Sequence, residues 1–589
     1  MSADLASCDQ VLPRPRRVRR LSGVYHFHKK PQPGSIVVEH VPRGPRPQWY
    51  SLQIRPDEIR LRAGDAAGFH YGMVTLGQLL GAGRTGIQAM EIEDWPDFPV
   101  RGVMLDISRD KVPKMGTLKG LIDLLAGWKI NQLELYTEHT FAYAGHERVW
   151  RGASPMTASQ IEELDGYCRD RRVELVPNQN SFGHMERWLK HEPYARLAEA
   201  CGPWKTPWGE LRETRTTLDP LNPGSIHLVA SLYDQLLPHF SSRLFNVGCD
   251  ETWELGQGRS AAACRRRGVG RVYLDFLLKI HREVKRRGHR MMFWADIAFQ
   301  HPELIARLPR DVIPMIWGYE ADHPFDRQCT TLARRGLEFY VCPGTSSWCS
   351  FGGRTRNCLD NLRNAAAAGK RHGASGYLIT DWGDFGHRQY LPASYIGFLY
   401  GAAVSWCGQT NAGIDAADEV GRHVFGDETG QIGQLWHDVG RIHELSGVSL
   451  KNRTILFSCM QAKLGDAGAL KGLKVRAVAA MERQITELAA KAGRVRFGGS
   501  NGTVVREELL ATIAVLRHAC KRARLMLAPG DQRDVRRQCR WLAGDIEKII
   551  DQHRALWVRR NRPGGLASSV EHYRRNLREY EAAMEMMAG

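Results

Sequence analysis

Phe245-Asn246-Val247-Gly248-Cys249-Asp250-Glu251 sets apolar residues at alternate positions and then two adjacent carboxylates. The alternation is that of a short strand with one buried face, and the strand runs directly into Asp250 and Glu251. Neighbouring carboxylates resist joint ionisation, and a site wanting one ionised carboxylate and one protonated carboxyl near neutrality would be built this way. Acid/base chemistry needs that pairing. The plain alternative is the acidic first turn of a helix, where carboxylates favour the positive end of the helix dipole.

The flanking sequence carries the strand reading outward. β-type runs recur at Val103–Asp106, Gln132–Tyr136, Val173–Pro177, Leu244–Gly248, Met291–Trp294, Ile313–Trp317, Glu338–Cys342 and Gly376–Thr380. Amphipathic helical patterns separate them, as at Leu118–Trp128, Ala158–Arg172, Ile226–Phe240 and Val272–Arg287, with Leu391–Trp406 after the last. Eight such β units alternating with helices over about 300 residues predict an α/β fold, the (β/α)8 TIM barrel. A doubly wound open sheet is the topology that periodicity leaves open. Barrel active sites lie at the carboxyl ends of the strands. Arg109, Glu138, His184, Asp250, Glu251, Trp294, Trp317, Trp348, Trp382 and Asp384 all end or follow a predicted strand.

Residues 1–98 read as a small N-terminal α/β accessory domain, with strand-like Trp49–Ile54 and Ile59–Arg62 and a helix over Tyr71–Leu80. Residues 99–410 form the barrel. In residues 411–589 the strand signal fades into long helical patterns at Val475–Ala490, Arg506–Leu525, Asp534–Leu556 and Ser569–Met587, broken near Gly465–Gly468 and Pro563–Gly565. Their mixed-charge and apolar faces predict a C-terminal helical bundle, shaping the pocket mouth or a homodimer contact. Met1–Arg20, rich in Pro and Arg, reads as a loose lead-in without the apolar segment of a secretion signal. No apolar run is long enough to span a bilayer. A cytoplasmic location is expected; a chain stripped of an export signal would look the same.

The formal net charge of +18 invites a nucleic-acid reading, yet the basic residues are dispersed and no nucleic-acid module or phosphate loop accompanies them. Solvated basic helix faces are the expectation, with no nucleic-acid and no membrane partner. Thirteen cysteines without regular spacing fit a reduced compartment. No zinc spacing or other metal motif occurs, and no metal or cofactor is expected.

At this point the chain resembles glycoside hydrolase family 20, the β-N-acetylhexosaminidases, over about Gly68 to Trp406. Gly68-Phe-His-Tyr-Gly-Met-Val-Thr-Leu-Gly-Gln-Leu79 is similar to the helix of that family's accessory domain. Asp94-Trp-Pro-Asp-Phe-Pro-Val-Arg-Gly-Val-Met-Leu-Asp-Ile-Ser-Arg109 is similar to the approach to its first barrel strand, and Phe245–Glu251 to its His-x-Gly-Gly-Asp-Glu hallmark. The resemblance implies exo-acting retaining cleavage of a terminal β-linked N-acetylhexosamine. The family departs from the two-carboxylate scheme in that the sugar's own 2-acetamido oxygen attacks the anomeric carbon. It further implies Glu251 as general acid and later base, and Asp250 as the group orienting the acetamido N–H. Arg109 would grip sugar hydroxyls, His184 would support the acid, and Trp294, Trp317 and Trp382 would wall the sugar.

Departures from the family pattern fall at the site. Asn246 stands for the hallmark His and Cys249 for its second Gly; Glu138 stands for an Asp after the second strand. Trp348 stands where the family has the tyrosine that donates to the acetamido oxygen, and Trp382-Gly383-Asp384 replaces Trp-x-Glu. Glu138 and Asp384 are expected where O3, O4 and O6 are read, so their changed reach suggests β-GalNAc over β-GlcNAc; His387 and Arg388 are further candidates for the sugar rim. Three alternatives stand beside this reading: a two-carboxylate glycosidase with Asp384 or Glu320 as nucleophile, a non-catalytic glycan-binding protein on a drifted site, and a basic nucleic-acid binder.

Overall fold

In the computed structural model the described residues are 5–27, 36–83, 85–427, 429–498 and 501–587. The parallel strands are β1 (Val100–Asp106), β2 (Gln132–Tyr136), β3 (Glu174–Val176), β4 (Leu244–Asn246), β5 (Arg290–Trp294), β6 (Ile313–Trp317), β7 (Tyr340–Cys342) and β8 (Gly376–Asp381). They are hydrogen-bonded in the order β4-β5-β6-β7-β8-β1-β2-β3. The two ends of that order meet just past the strands: Asn178 and Asn246 form a parallel bridge. Asn246 N donates to Pro177 O at 3.0 Å and Gln179 N to Asn246 O at 3.0 Å. The sheet therefore closes into a barrel, and the open doubly wound alternative falls.

Strands buried on both faces can be apolar throughout, as in β7, Tyr340-Val341-Cys342, where every residue is buried. Helices Met115–Gly127, Ala158–Arg169, Pro223–Leu236, Val269–Arg286, Phe325–Arg334, Thr355–His372 and Pro392–Trp406 form the outer ring. Their limits have local causes. Thr157 and Gln160 make a capping box at the start of Ala158–Arg169, which satisfies amide groups the helix itself cannot. Gly373, left-handed at φ 72°, ends Thr355–His372.

The N-terminal layer is a mixed sheet of Arg17–His26, Ile36–His40, Tyr50–Ile54, Ile59–Ala63 and Gly86–Asp94, with the two-residue strand Leu5–Ala6 beside the last of these. Helix Ala66–Ala82 packs on it. Part of the expected loose lead-in is thus a strand: Arg17–His26 pairs antiparallel with Gly86–Asp94, while Met1–Asp4 lie outside the described residues. Arg17 and Arg19 reach Glu93 and Glu91 across the pair. The order comes from cross-strand partners some seventy residues away, which composition does not reveal.

Asp94 joins this layer to the barrel. Its buried carboxylate takes Tyr50 Oη at 2.7 Å, Lys129 Nζ at 3.1 Å and Trp406 Nε1 at 2.9 Å. The C-terminal helices Val475–Arg494, Gly502–Leu527, Gln532–Arg560 and Leu566–Met586 pack on one another and on the barrel. Lys114 N donates to Arg560 O at 2.9 Å and Arg562 N to Val112 O at 2.8 Å, so the linker around Pro563–Gly565 lies against the loop after β1. No helix among the described residues is long and apolar enough to cross a membrane, and the thirteen cysteines are unpaired.

Candidate active site

At the carboxyl ends of the strands a cleft of about 140 Å³ is lined by Arg109, His184, Asp250, Glu251, Trp317, Tyr319, Trp382, Asp384 and Asn452. Its acidic pair hangs on a backbone turn of unusual shape. Gly248, Cys249 and Glu251 all adopt positive φ, at 67°, 71° and 50°. Side-chain-bearing residues occupy that region only where surrounding contacts impose it, and such strain gathers at functional sites. The contacts are visible here. A Cβ on Gly248 would meet Asn180 Oδ1 at 1.6 Å, Tyr273 Oη holds Cys249 O at 2.9 Å, and Glu251 N donates to Asp296 Oδ2 at 3.1 Å.

His184 bridges the pair. Its Nε2 lies 3.2 Å from Asp250 Oδ2 and 3.5 Å from Glu251 Oε2. Burial works to lower the imidazole's pKa, but the charge and hydrogen bond of Asp250 outweigh it and carry the value up to about 9. Burial, and then the neighbouring Asp250 charge against the opposing pull of His184, lift Glu251 to about 7. Asp250 Oδ1 is buried without a hydrogen-bond partner among the described residues, although buried carboxylate oxygens are rarely left unsatisfied.

Arg109 is clamped from three sides. Nη1 lies 3.0 Å from Asp106 Oδ2, Nε 3.2 Å from Asp384 Oδ1 and Nη2 3.5 Å from Glu138 Oε1. Its guanidinium sits between the rings of Tyr136 and Trp382, at 4.8 and 4.9 Å. Burial opposes its charge, yet Tyr136, Asp106, Glu138 and Asp384 raise its pKa well above the ordinary arginine value. Glu138 and Asp384 are both raised, by burial first, with Arg109 pulling the other way.

The aromatic wall differs from expectation in two members, Trp294 and Trp348, which do not line the cleft. Trp317 and Tyr319 stack at 5.3 Å, and Trp382 Nε1 donates to Tyr319 Oη at 2.7 Å. Trp294 is fully buried with its ring 6.1 Å from that of Trp382. Trp348, the expected indole donor, does not line the cleft: its N–H is already given to Asn452 Oδ1 at 2.9 Å and its ring is buried edge-on to Tyr319. His387 and Arg388 also turn away from the cleft. His387 packs beneath Gly383, and the Arg388 guanidinium lies among Phe351, Phe457 and Tyr573 of the barrel and the C-terminal helices.

Four further residues belong to this constellation. Asp106 closes β1; besides Arg109 it accepts from Gly383 N at 2.9 Å, fixing both ends of the Arg109–Asp384 pair. Tyr319 and Asp296 each lie two residues past a strand-end tryptophan; at Asp296 the chain has already turned into the short helix Asp296–Gln300. Asn452 comes from beyond the barrel and carries no local signal. Its backbone is held by Glu320 Oε1 at 2.6 Å, and both Glu320 oxygens are gripped by Arg354 at 3.0 and 2.5 Å.

With this geometry in view, the sequence matches the model of the catalytic domain of glycosyl hydrolase family 20 over residues 98–361 and that of the same family's domain 2 over residues 17–95. Together these cover more than half of the chain. The chain belongs to glycosyl hydrolase family 20. Within the family it is similar to hexosaminidase D of Bos taurus, 29% identical over 232 residues, which are 38% of this chain and 64% of the relative. Hexosaminidase D of Homo sapiens is 28% identical over 234 residues, 38% of this chain and 46% of that relative. The chain thus spans between about half and two thirds of the length of these two relatives.

Among solved structures, a family 20 exo β-N-acetylglucosaminidase from Vibrio harveyi aligns at TM-score 0.56 and 16% identity over 69% of this chain and 75% of its own. A chitobiase from Flavobacterium johnsoniae aligns at TM-score 0.55 and 14% identity over 98% and 99%. At these identities the likeness is one of fold. The family 20 catalytic match ends at residue 361, so β8 and the elements beyond it, which supply Trp382, Asp384 and Asn452, lie past the matched segment.

Proposed function

We propose that this family 20 protein is an exo-acting retaining β-N-acetylhexosaminidase that uses the substrate's 2-acetamido group as the nucleophile. The observation that carries the reading is Asp250 Oδ1, buried and unpartnered beside an acid at the foot of an aromatic cleft. A carboxylate oxygen left open in this way suits an N–H donor brought by the ligand.

The steps follow from the groups present. Arg109, with Glu138 and Asp384 on its flanks, holds sugar hydroxyls; its planar fork fits two neighbouring oxygens. Asp250 accepts the acetamido N–H and offsets the positive charge that grows on the amide as its oxygen closes on C1. Tyr319 Oη already accepts from Trp382, so its own proton is free to be donated to that acetamido oxygen. Glu251, protonated below about pH 7, gives its proton to the leaving glycosidic oxygen, then as carboxylate takes one from the water that opens the cyclic intermediate. His184, held charged by Asp250, keeps a positive charge beside both carboxyl groups while Glu251 cycles.

Similarity to proteins named hexosaminidase D and β-N-acetylglucosaminidase supports this substrate class. Glu138 and Asp384 in place of the family's Asp and Glu favour β-GalNAc at C4. The test is hydrolysis of p-nitrophenyl β-GalNAc and β-GlcNAc, with an N-acetyl-thiazoline as inhibitor. Turnover with strong inhibition supports the acetamido route, and a kcat/KM ratio above one for GalNAc supports the preference. A trapped 2-fluoroglycosyl enzyme would overturn the route, and equal or GlcNAc-dominant rates the preference.

A further inference from the structure

Ser108-Arg109-Asp110 faces two ways. Arg109 turns into the cleft, whereas Ser108 and Asp110 line a separate cavity of about 280 Å³ bounded by the loops after β1, β2 and β3. The first turn of helix Leu566–Met586 closes it through Ala567 and Ser568. This size approaches the lower end of small-molecule sites, about 300 Å³.

The lining is strongly cationic. Arg148, Arg187 and Lys190 converge on it, and the start of a helix adds a positive dipole end. One carboxylate lines the cavity with them: Asp110 Oδ1 takes Arg187 Nη2 at 3.2 Å, while Glu138 and Glu186, outside the lining, act on Arg187 and Lys190 from a distance. Arg148 and Lys190 form no ion pair among the described residues. His139, 5% exposed, lines the same cavity, and its Nδ1 has no hydrogen-bond partner. The charges are close enough to be felt. Burial and then Arg187 and Lys190 depress His139 to about 3; burial and then Lys190 and Arg148 lower His191. Three cations against one lining carboxylate, around a buried open polar atom, mark a place where a further anion would relieve the repulsion.

We propose that this cavity is an oxyanion site that takes a sulfate, phosphate or carboxylate group on Arg148, Arg187 and Lys190, with room for a sugar ring carrying that group. It lies outside the acid/base cleft, on the far side of the segment that presents Arg109.

The test is calorimetric titration of the full chain with inorganic sulfate, galactose 6-sulfate and galactose at matched ionic strength, alongside an Arg148→Ser/Lys190→Ser variant. Both side chains are exposed, so the variant is expected to fold and to keep its kcat/KM on p-nitrophenyl β-GalNAc. Saturable binding of a sulfated probe, weakened at least about tenfold in the variant, supports the site. Tighter binding of galactose 6-sulfate than of inorganic sulfate assigns a sugar-borne anion, and the reverse order a free one. Binding of neither probe beyond galactose or chloride, or binding unchanged in the variant, overturns the proposal.

Discussion

Trp382 donates its indole N–H to the hydroxyl of Tyr319 at 2.7 Å, although 63 residues separate them. The contact orients the phenol so that its single proton is left for another acceptor, and it joins two walls of the cleft. Replacing Tyr319 with Phe is expected to lower kcat and kcat/KM together by about 10²-fold, the signature of a hydrogen bond made in the transition state. Trp348→Phe, which removes a donor already engaged by Asn452, is expected to stay within a few-fold of wild type. Steady-state kinetics on p-nitrophenyl β-GalNAc would decide it; the opposite ranking would restore Trp348 as the donor.

Glu251→Gln and Asp250→Asn should each reduce kcat by about a hundredfold or more, the usual range for loss of a general acid or of charge stabilisation. Glu251→Gln should hurt least on aryl glycosides with good leaving groups. Activity that survives both substitutions would place the chemistry elsewhere on the barrel.

The pH profile carries a sign. Glu251 must be protonated to act as the acid, so kcat/KM should fall as pH rises through about 7. The His184 charge lowers that pKa and the Asp250 charge raises it. Residual activity of His184→Gln should therefore extend to higher pH, and that of Asp250→Asn should retreat to lower pH. Parallel shifts of both limbs would mean that another group is titrating.

Glu320 sits after β6, where a second carboxylate nucleophile was conceivable, but Arg354 grips both its oxygens and it holds the Asn452 backbone. Glu320→Gln is expected to raise KM through movement of Asn452 while kcat stays within about tenfold, as for a lost positioning contact. A collapse of kcat with rescue by azide would identify it as a nucleophile.

Gly248→Ala asks for a Cβ 1.6 Å from Asn180 Oδ1 at φ 67°. Overpacking of this kind costs about 2 kcal/mol or more. Urea unfolding should show that loss, with activity falling further because the turn also sets the Asp250–Glu251 geometry. An unchanged midpoint would mean that the turn has slack.

Much of this molecule was legible along the chain. The eight strands and most of their helices follow from local periodicity, since a strand buried on both faces has few alternatives to an apolar run. Asp250, Glu251, Arg109, His184, Trp317, Trp382 and Asp384 share one cleft because strand ends of a closed barrel must converge. What the chain could not show depends on where side chains turn after the strands end. Tyr319 rather than Trp348 faces the cleft because the loop after β7 sends the indole toward Asn452. Asn452 itself arrives from about 70 residues beyond β8 and is placed by Glu320 and Arg354. Arg17–His26 becomes a strand because Gly86–Asp94 offers it a partner edge. Periodicity is a property of neighbours in sequence; hydrogen-bond direction and edge pairing are properties of neighbours in space, and these the tertiary structure alone decided.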